Sequence, residues 1–243
     1  MSLLRLAWRN IAGNGLRSWV VALCALVVAA FALFSTLLLR GTATSLELAA
    51  DRLGADIVVV PQGAQTEMEG ALLMGVPVQF WMPAENVDKL AAIPGIEAVS
   101  PQIYLATLVD AECCSVSEMF MVAYDPQTDF TVRPWLEEQV PSGLGLGEVI
   151  GGDYISATEG EDGILVYGDL LKLKGNLEPT GTGLDQSVFF TLDTAHDIAR
   201  VSDTQAVEPL VIPPDQVSAV LLKTKPGSDN EKIAVDIYRK VPG

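Results

Sequence analysis

A single histidine, His196, and three cysteines, Cys24, Cys113 and Cys114, are all the imidazole and thiol that this 243-residue chain owns. One imidazole cannot build a histidine-rich metal centre. The sequence contains no H-E-x-x-H, no C-x-x-C and no G-x-S-x-G. The zinc-protease, thiol-redox and esterase chemistries carried by those motifs are therefore without their residues. It also contains no G-x-x-x-x-G-K-[ST] loop, so the chain does not hydrolyse ATP by that route. His196 falls in a predicted helix over residues 194–201 and is expected to face solvent. Adjacent acids such as Glu137-Glu138 point apart and read as a solvated face, not a general acid–base pair. No motif supports an enzyme.

The cysteines are too few and too unevenly placed for a disulfide framework, so the fold has to hold by packing. Cys24 lies in an apolar run, away from the other two. Across a trans peptide the Cα atoms of Cys113 and Cys114 stand ~3.8 Å apart. That is closer than ordinary disulfides sit, so a bond between them would be strained and easily reduced. With Met119 and Met121 nearby, the pair is a candidate soft-ligand or redox site of the kind that takes Cu(I) or haem iron. The plainer reading is two thiols at a strand end, one of them buried.

Charge is as unevenly placed as sulfur. Residues 1–40 carry four arginines (Arg5, Arg9, Arg17 and Arg40) and no acid. The other eleven Lys and Arg stand against all 31 acids, leaving residues 41–243 a net charge of −20. Such a surface repels phosphates, so no nucleic-acid partner is expected. Its plain consequence is solubility.

Between Arg17 and Arg40 there is a long run without charge, Pro or Gly: residues 18–39, reading SWVVALCALVVAAFALFSTLLL. As a helix these 22 residues span about 33 Å, enough for the ~30 Å hydrocarbon core of a bilayer. The run is longer than the apolar core of a signal peptide, and the small residues Ala30 and Ala32 lie inside it. The expectation is an uncleaved membrane anchor, with Trp19, Phe31, Phe34 and Leu39 among the residues that hold it in lipid. Arg5, Arg9 and Arg17 form a positive cytoplasmic flank, so the N-terminus is expected inside and the bulk of the chain outside the cytoplasm. Within residues 1–17, Leu3, Leu6, Ala7 and Ile11 fall near helical spacing and predict a short amphipathic segment along the inner surface. The domain reading is 1–17 cytoplasmic segment, 18–40 membrane helix, 41–243 extracytoplasmic domain.

Beyond the anchor, residues 42–53 (TATSLELAADRL) keep one apolar stripe through Ala43, Leu46, Ala50 and Leu53 and read as a continuation of the helix, ended by Gly54. ADIVVVPQG is a β-branched run expected to be a buried strand. Residues 64–82 read as a loop or irregular hairpin. Residues 84–92 predict a short helix with Pro83 at its start and Pro94-Gly95 as its stop. Residues 96–108 predict two strands broken at Pro101, and residues 119–123 another. Residues 125–147, rich in Pro, Gly and acids, read as a surface connection. A second unit begins at Val149-Ile150-Gly151-Gly152, with short strands over 164–166, 170–173 and 187–191. Asp193 is the expected cap of the helix 194–201. Residues 217–223 are a strand, and in PGSDNEKIAVDIYRK the pair Ser228 and Glu231 predicts a capping box before a last helix. The fold class expected is α+β: one N-terminal transmembrane helix followed by a mixed α/β extracytoplasmic domain of two lobes.

An N-terminal L-x-x-R-N-I-x-x-N-x-x-R-S, here Leu6, Arg9, Asn10, Ile11, Asn14, Arg17 and Ser18, resembles the permeases of the MacB/FtsX type of ABC transporter. The stretches at 53–63 (LGADIVVVPQG), 93–102 (IPGIEAVSPQ), 149–154 (VIGGDY), 177–195 (LEPTGTGLDQSVFFTLDTA) and 221–227 (LLKTKPG) are similar to segments of those permeases, in the same order. The segments at 113–115 and 125–136 look like a subgroup of predicted permeases. The resemblance implies four membrane helices, with the large outer domain between the first and second. It implies a second permease copy or a paralogue, and a separate ABC ATPase that binds the ATP. No cofactor is expected in the chain itself. Membrane lipid and an outer-membrane or extracytoplasmic protein complete the implied partners. In several members ATP binding moves the outer domain, a mode called mechanotransmission. The sequence stops after Lys240-Val241-Pro242-Gly243, before the later helices, which reads as a fragment or a truncated reading frame. The expected function is thus the permease subunit of an ABC-type export or mechanotransmission complex in a bacterial or archaeal cytoplasmic (inner) membrane. The alternative is a single-pass anchored binding or sensor module.

Overall fold

The computed structural model describes residues 15–107, 119–158, 160–206 and 208–241. Its contacts divide the chain into two compact units, Met1–Thr44 and Ser45–Gly243. In order, the elements are α1 (Gly15–Leu53), β1 (Ile57–Val59), α2 (Gln65–Met74), β2 (Met82–Pro83), α3 (Glu85–Ala91), β3 (Ile96–Ala106), β4 (Phe120–Tyr124) and α4 (Arg133–Gln139). They continue with β5 (Glu148–Gly151), β6 (Gly163–Val166), β7 (Asp169–Asn176), a 3₁₀ turn (Gly183–Gln186), β8 (Ser187–Thr191), α5 (Leu192–Gln205), β9 (Gln216–Val217), β10 (Ala219–Thr224) and α6 (Asn230–Lys240). The class is mixed α/β, with one N-terminal apolar helix followed by a sheet-rich domain. α1 carries the whole of the run expected to be helical, including residues 42–53. The side chains of its expected stripe, Ala43 to Leu53, and the amphipathic segment before Gly15 lie outside the described residues.

Among the described residues the second unit has a main sheet of eight strands in the order β1-β10-β3-β4-β8-β5-β7-β6 and a separate two-stranded sheet, β2-β9. β10 is antiparallel to both β1 and β3, and β3 is antiparallel to β4. β4 and β8 run parallel, as do β5 and β7. The two lobes foreseen from sequence share this sheet and interleave, since β10 from the later half of the chain lies between β1 and β3. Side chains alternate across a strand. Tyr104, Phe120, Val122, Phe189 and Leu221 therefore face one core, which is covered by Met68 and Ala71 of α2 and Leu136 of α4. Leu105, Met121, Ala123, Val188 and Phe190 face the other side, under Ala195 and Ile198 of α5. Val220 and Leu222 extend that side beneath Leu90 of α3 and Ile233 and Ile237 of α6.

Several local expectations are corrected. Residues 64–82 are not a loop: α2 occupies Gln65–Met74 and ends at Gly75 in the left-handed region, φ 69°. Pro83 lies in β2, before α3, and Ala84 takes the cap position. β3 is one strand through Pro101. Gln102 gives its carbonyl to the Ser218 amide, so it faces β10. Pro101, one residue earlier, turns the other way, beyond the Tyr124 end of β4, where a missing N–H costs nothing. The connection 125–147 contains α4, with Pro134 in its first turn, where a proline is tolerated. α5 is capped by Thr191, whose hydroxyl accepts from the Thr194 amide, and not by Asp193. α6 is capped by Asp229, which accepts from Lys232; Ser228 turns its hydroxyl to the Gly95 carbonyl. β1 is half-buried along its length, because it is an edge strand.

Candidate functional site

Two features can meet something outside the chain. The first is the stretch Gly15–Gly41 of α1, long and apolar enough to cross a membrane, and unburied within the fold. Trp19, Phe31, Phe34 and Leu39 are each exposed, with Trp19 at 77% and Leu39 at 72%. An 18-residue apolar helix window with no protein against it has no aqueous solution for its hydrophobic surface. Arg17 is exposed at the start of the helix. Arg5 and Arg9, the rest of the expected flank, lie outside the described residues, as do Cys113 and Cys114.

The second feature is a groove of about 360 Å³ along the edge of the sheet. Its floor is β1 and the residues after it, Val60, Pro61 and Gln62. Ala234, Ile237, Tyr238 and Val241 of α6 and the turn beyond form one wall, with Met82 and Asn86. Gln65, at the start of α2, closes the other side. β1 pairs only with β10 among the described residues. Asp56 donates its amide to the Leu222 carbonyl, so Leu222 turns toward β1, and its register partner Ile57 and, two residues on, Val59 face β10. Val58, between them, turns its backbone N–H and C=O into the groove. Asn86 is only 5% exposed; its Oδ1 accepts from Lys89 Nζ at 3.3 Å. Its Nδ2 makes no hydrogen bond among the described residues. Tyr238, by contrast, is 76% exposed at the groove's rim. The groove is thus apolar, with unpaired main-chain groups along one side.

No part of this groove is visible as a motif. It is assembled from residues 57–65, 82–86 and 234–241, and the only local signal is the run IVVVP, a strand closed by proline. Among the described residues no three of His, Cys, Asp and Glu come together as metal ligands would. His196 is exposed on α5.

The segments quoted from sequence are packing devices in the structure. Gly152 of the VIGGDY stretch lies against the backbone of Leu184 and Asp185, where a Cβ would meet the Leu184 carbonyl at 2.3 Å. Its amide donates to the Ser187 carbonyl, and that of Tyr154 donates to the carbonyl of Asp185. Asp185 is 2% exposed and accepts from the amides of Thr180 and Gly181 and the hydroxyl of Thr180, which winds the PTGTGLD loop around its carboxylate. Asp129, 5% exposed, does the same for the start of α4. It sits in a buried run of hydrogen bonds that passes from Tyr104 through Gln102 and Thr131 to Asp129 and Ser100. Burial pushes the Tyr104 phenol far above its ordinary value. Tyr124 is pushed up to about 12, by burial first and then by the Asp129 carboxylate.

No family model matches the sequence, and no curated protein matches it. Among solved structures the chain is similar to the periplasmic region of MacB from Actinobacillus actinomycetemcomitans, at 8% identity and TM-score 0.44, over 75% of this chain and 79% of that one. It is also similar to the extracellular domain of the noncanonic ABC-type transporter YknZ from Gram-positive bacteria, at 11% identity and TM-score 0.39, over 75% of this chain and 89% of that one.

Proposed function

We propose that this chain is the first membrane helix and the extracytoplasmic domain of a permease subunit, working in an ABC-type export or mechanotransmission complex driven by a separate ATPase. The observation that carries the reading is the wholly exposed apolar helix Gly15–Gly41, set between a basic N-terminus and a domain that holds all 31 acids. Lipid gives such a helix a favourable surround, and the position of the arginines supports an orientation with the acidic domain on the far side. The ordered stretches from Leu6 to Gly227 that resemble MacB/FtsX-type permeases support the assignment to that transporter type. A chain with no phosphate-binding loop needs its ATP hydrolysed by a partner, and a permease dimer with two ATPase subunits supplies it.

The test has two parts. In membranes, the protein stays in the pellet through alkaline carbonate washing, and tags on Met1 and Gly243 report opposite compartments. Affinity capture of the protein from its native membranes brings down an ATPase with a phosphate-binding loop. Release by carbonate, or both tags on one side, removes the membrane reading. Retention in the membrane without any ATPase leaves the single-pass sensor as the better account.

A further inference from the structure

We infer that a pocket beside α4 binds a small zwitterion, an α-amino acid with an apolar side chain. The pocket measures about 270 Å³, below the range of drug-sized sites, so its ligand is small. It lies between α4, the turn after Tyr124 and the loop that follows Val140. Leu136 and Val140 line it from the core, and Pro126, Pro141 and Leu144 extend the apolar lining. Among the described residues one base, Arg133, and one acid, Glu137, line it. Arg133 Nε donates to Glu137 Oε1 at 2.9 Å, and both side chains are 59% exposed. A pair so exposed is held weakly. The Nη groups of Arg133 and the second carboxylate oxygen of Glu137 make no hydrogen bond among the described residues.

Tyr124 also lines the pocket, and it is only 3% exposed. Its hydroxyl makes no hydrogen bond among the described residues, which is costly for a buried phenol. Among those residues Thr158 Oγ1 is the one side-chain oxygen or nitrogen both cut off from solvent and unpartnered. The Tyr124 oxygen therefore keeps a path to the surface, and the pocket is where this residue reaches it. Burial first, and then the Asp129 carboxylate, keeps the phenol protonated, so the negative field of Asp129 is felt at the hydroxyl. That field favours a cationic group there, and the phenol oxygen can accept from it. A simple anion in this pocket meets Glu137 and the Asp129 field, and a simple cation meets Arg133. A hydrocarbon leaves the Tyr124 hydroxyl unpaired. A zwitterion escapes all three penalties. Its ammonium sits on the side of Tyr124 and Glu137, its carboxylate accepts from the Arg133 guanidinium, and its side chain packs on Leu136, Val140 and Leu144.

The experiment is equilibrium dialysis of radiolabelled L-leucine against the detergent-solubilised full chain. The competitors are isoamylamine, which lacks the carboxylate, and isocaproate, which lacks the ammonium. Leucine binds saturably, and each competitor binds at least about tenfold more weakly than leucine. Arg133→Met and Glu137→Gln each weaken leucine by about tenfold, and Tyr124→Phe weakens it roughly fivefold. Thermal melts of the three variants confirm that each is folded. The result is separate from membrane retention and from capture of an ATPase. No saturable binding of leucine at millimolar concentration overturns the inference. So does equal competition by the two analogues and leucine, since the pocket would then select only an apolar body. Leucine affinity unchanged in folded Arg133→Met overturns it as well.

Discussion

Gly183 lies directly against Gly75: a Cβ built on Gly183 would stand 2.0 Å from the Gly75 nitrogen and 2.5 Å from the Ala71 carbonyl oxygen. Those two atoms make the hydrogen bond that closes α2, from the Gly75 amide to Ala71 at 2.9 Å. The PTGTGLD loop is thus seated on the C-terminus of a helix, backbone against backbone.

Gly183→Ala forces the loop off the end of α2. The expected cost is about 3 kcal/mol, the upper end for inserting a methyl into packed structure. In a domain of this size that lowers the melting temperature by roughly 6–12 °C. Gly75→Ala should cost a similar amount, because its added Cβ meets the Gly183 carbonyl at 2.8 Å and its φ of 69° is left-handed. Thermal melts of the two variants check this. Wild-type melting of both would mean that the loop and the helix end do not touch.

Asp129 gathers five hydrogen bonds: from the amides of Thr131, Val132 and Arg133 and the hydroxyls of Ser100 and Thr131. Asp129→Ala leaves those donors unpaired beneath the chain, at an expected cost of about 4 kcal/mol. Asp129→Asn keeps one acceptor oxygen and should cost roughly half as much. Urea denaturation gives both values. Equal, small losses would show that water replaces the carboxylate freely.

The apolar helix α1 was legible because twenty-two consecutive residues without charge, Pro or Gly favour a continuous helix, and β8 and β10 were legible as short apolar runs. α2 was not: only Met68 and Ala71 of its ten residues are buried, so QTEMEGALLM carries almost no stripe, and Gly70 weakens it further. α4 was hidden by the prolines and glycines on either side of a seven-residue helix. Both cap assignments missed by one or two residues, since Thr191 and Asp193, or Ser228 and Asp229, are all competent acceptors and only the backbone selects among them. The groove could not be read at all. It depends on β1 lying at the sheet edge, which is a matter of strand order and not of any local pattern.

The buried phenols make the domain sensitive to alkali. Tyr124 has its folded value raised from 10.0 to about 12, so folding favours the protonated phenol. The stability it contributes is complete below pH 10 and is lost as the pH rises through 12. Tyr104, shifted further in the same direction, adds to the loss at higher pH. Phenolate absorbance from Tyr104 and Tyr124 should therefore appear together with loss of the folded circular-dichroism signal. Tyr124→Phe should move the alkaline unfolding midpoint upward. Titration of Tyr104 and Tyr124 at ordinary values in a folded chain would contradict their burial.

The apolar helix makes a prediction that depends on depth. Val28 lies near the middle of the run and is 68% exposed; Leu39 lies at its end and is 72% exposed. In water the two positions are equivalent, and a lysine at either would improve solubility. In a bilayer they differ: a lysine at the centre of a spanning helix costs about 3 kcal/mol, whereas one at the end extends its ammonium to the headgroups. Val28→Lys should therefore lower the fraction of protein retained after carbonate washing, and Leu39→Lys should leave it at the wild-type level. The comparison is internal, since both variants add the same charge to the same helix. If the two lysines behaved alike, the surface they occupy would not be facing lipid, and the exposed face of α1 would have to be covered by protein instead.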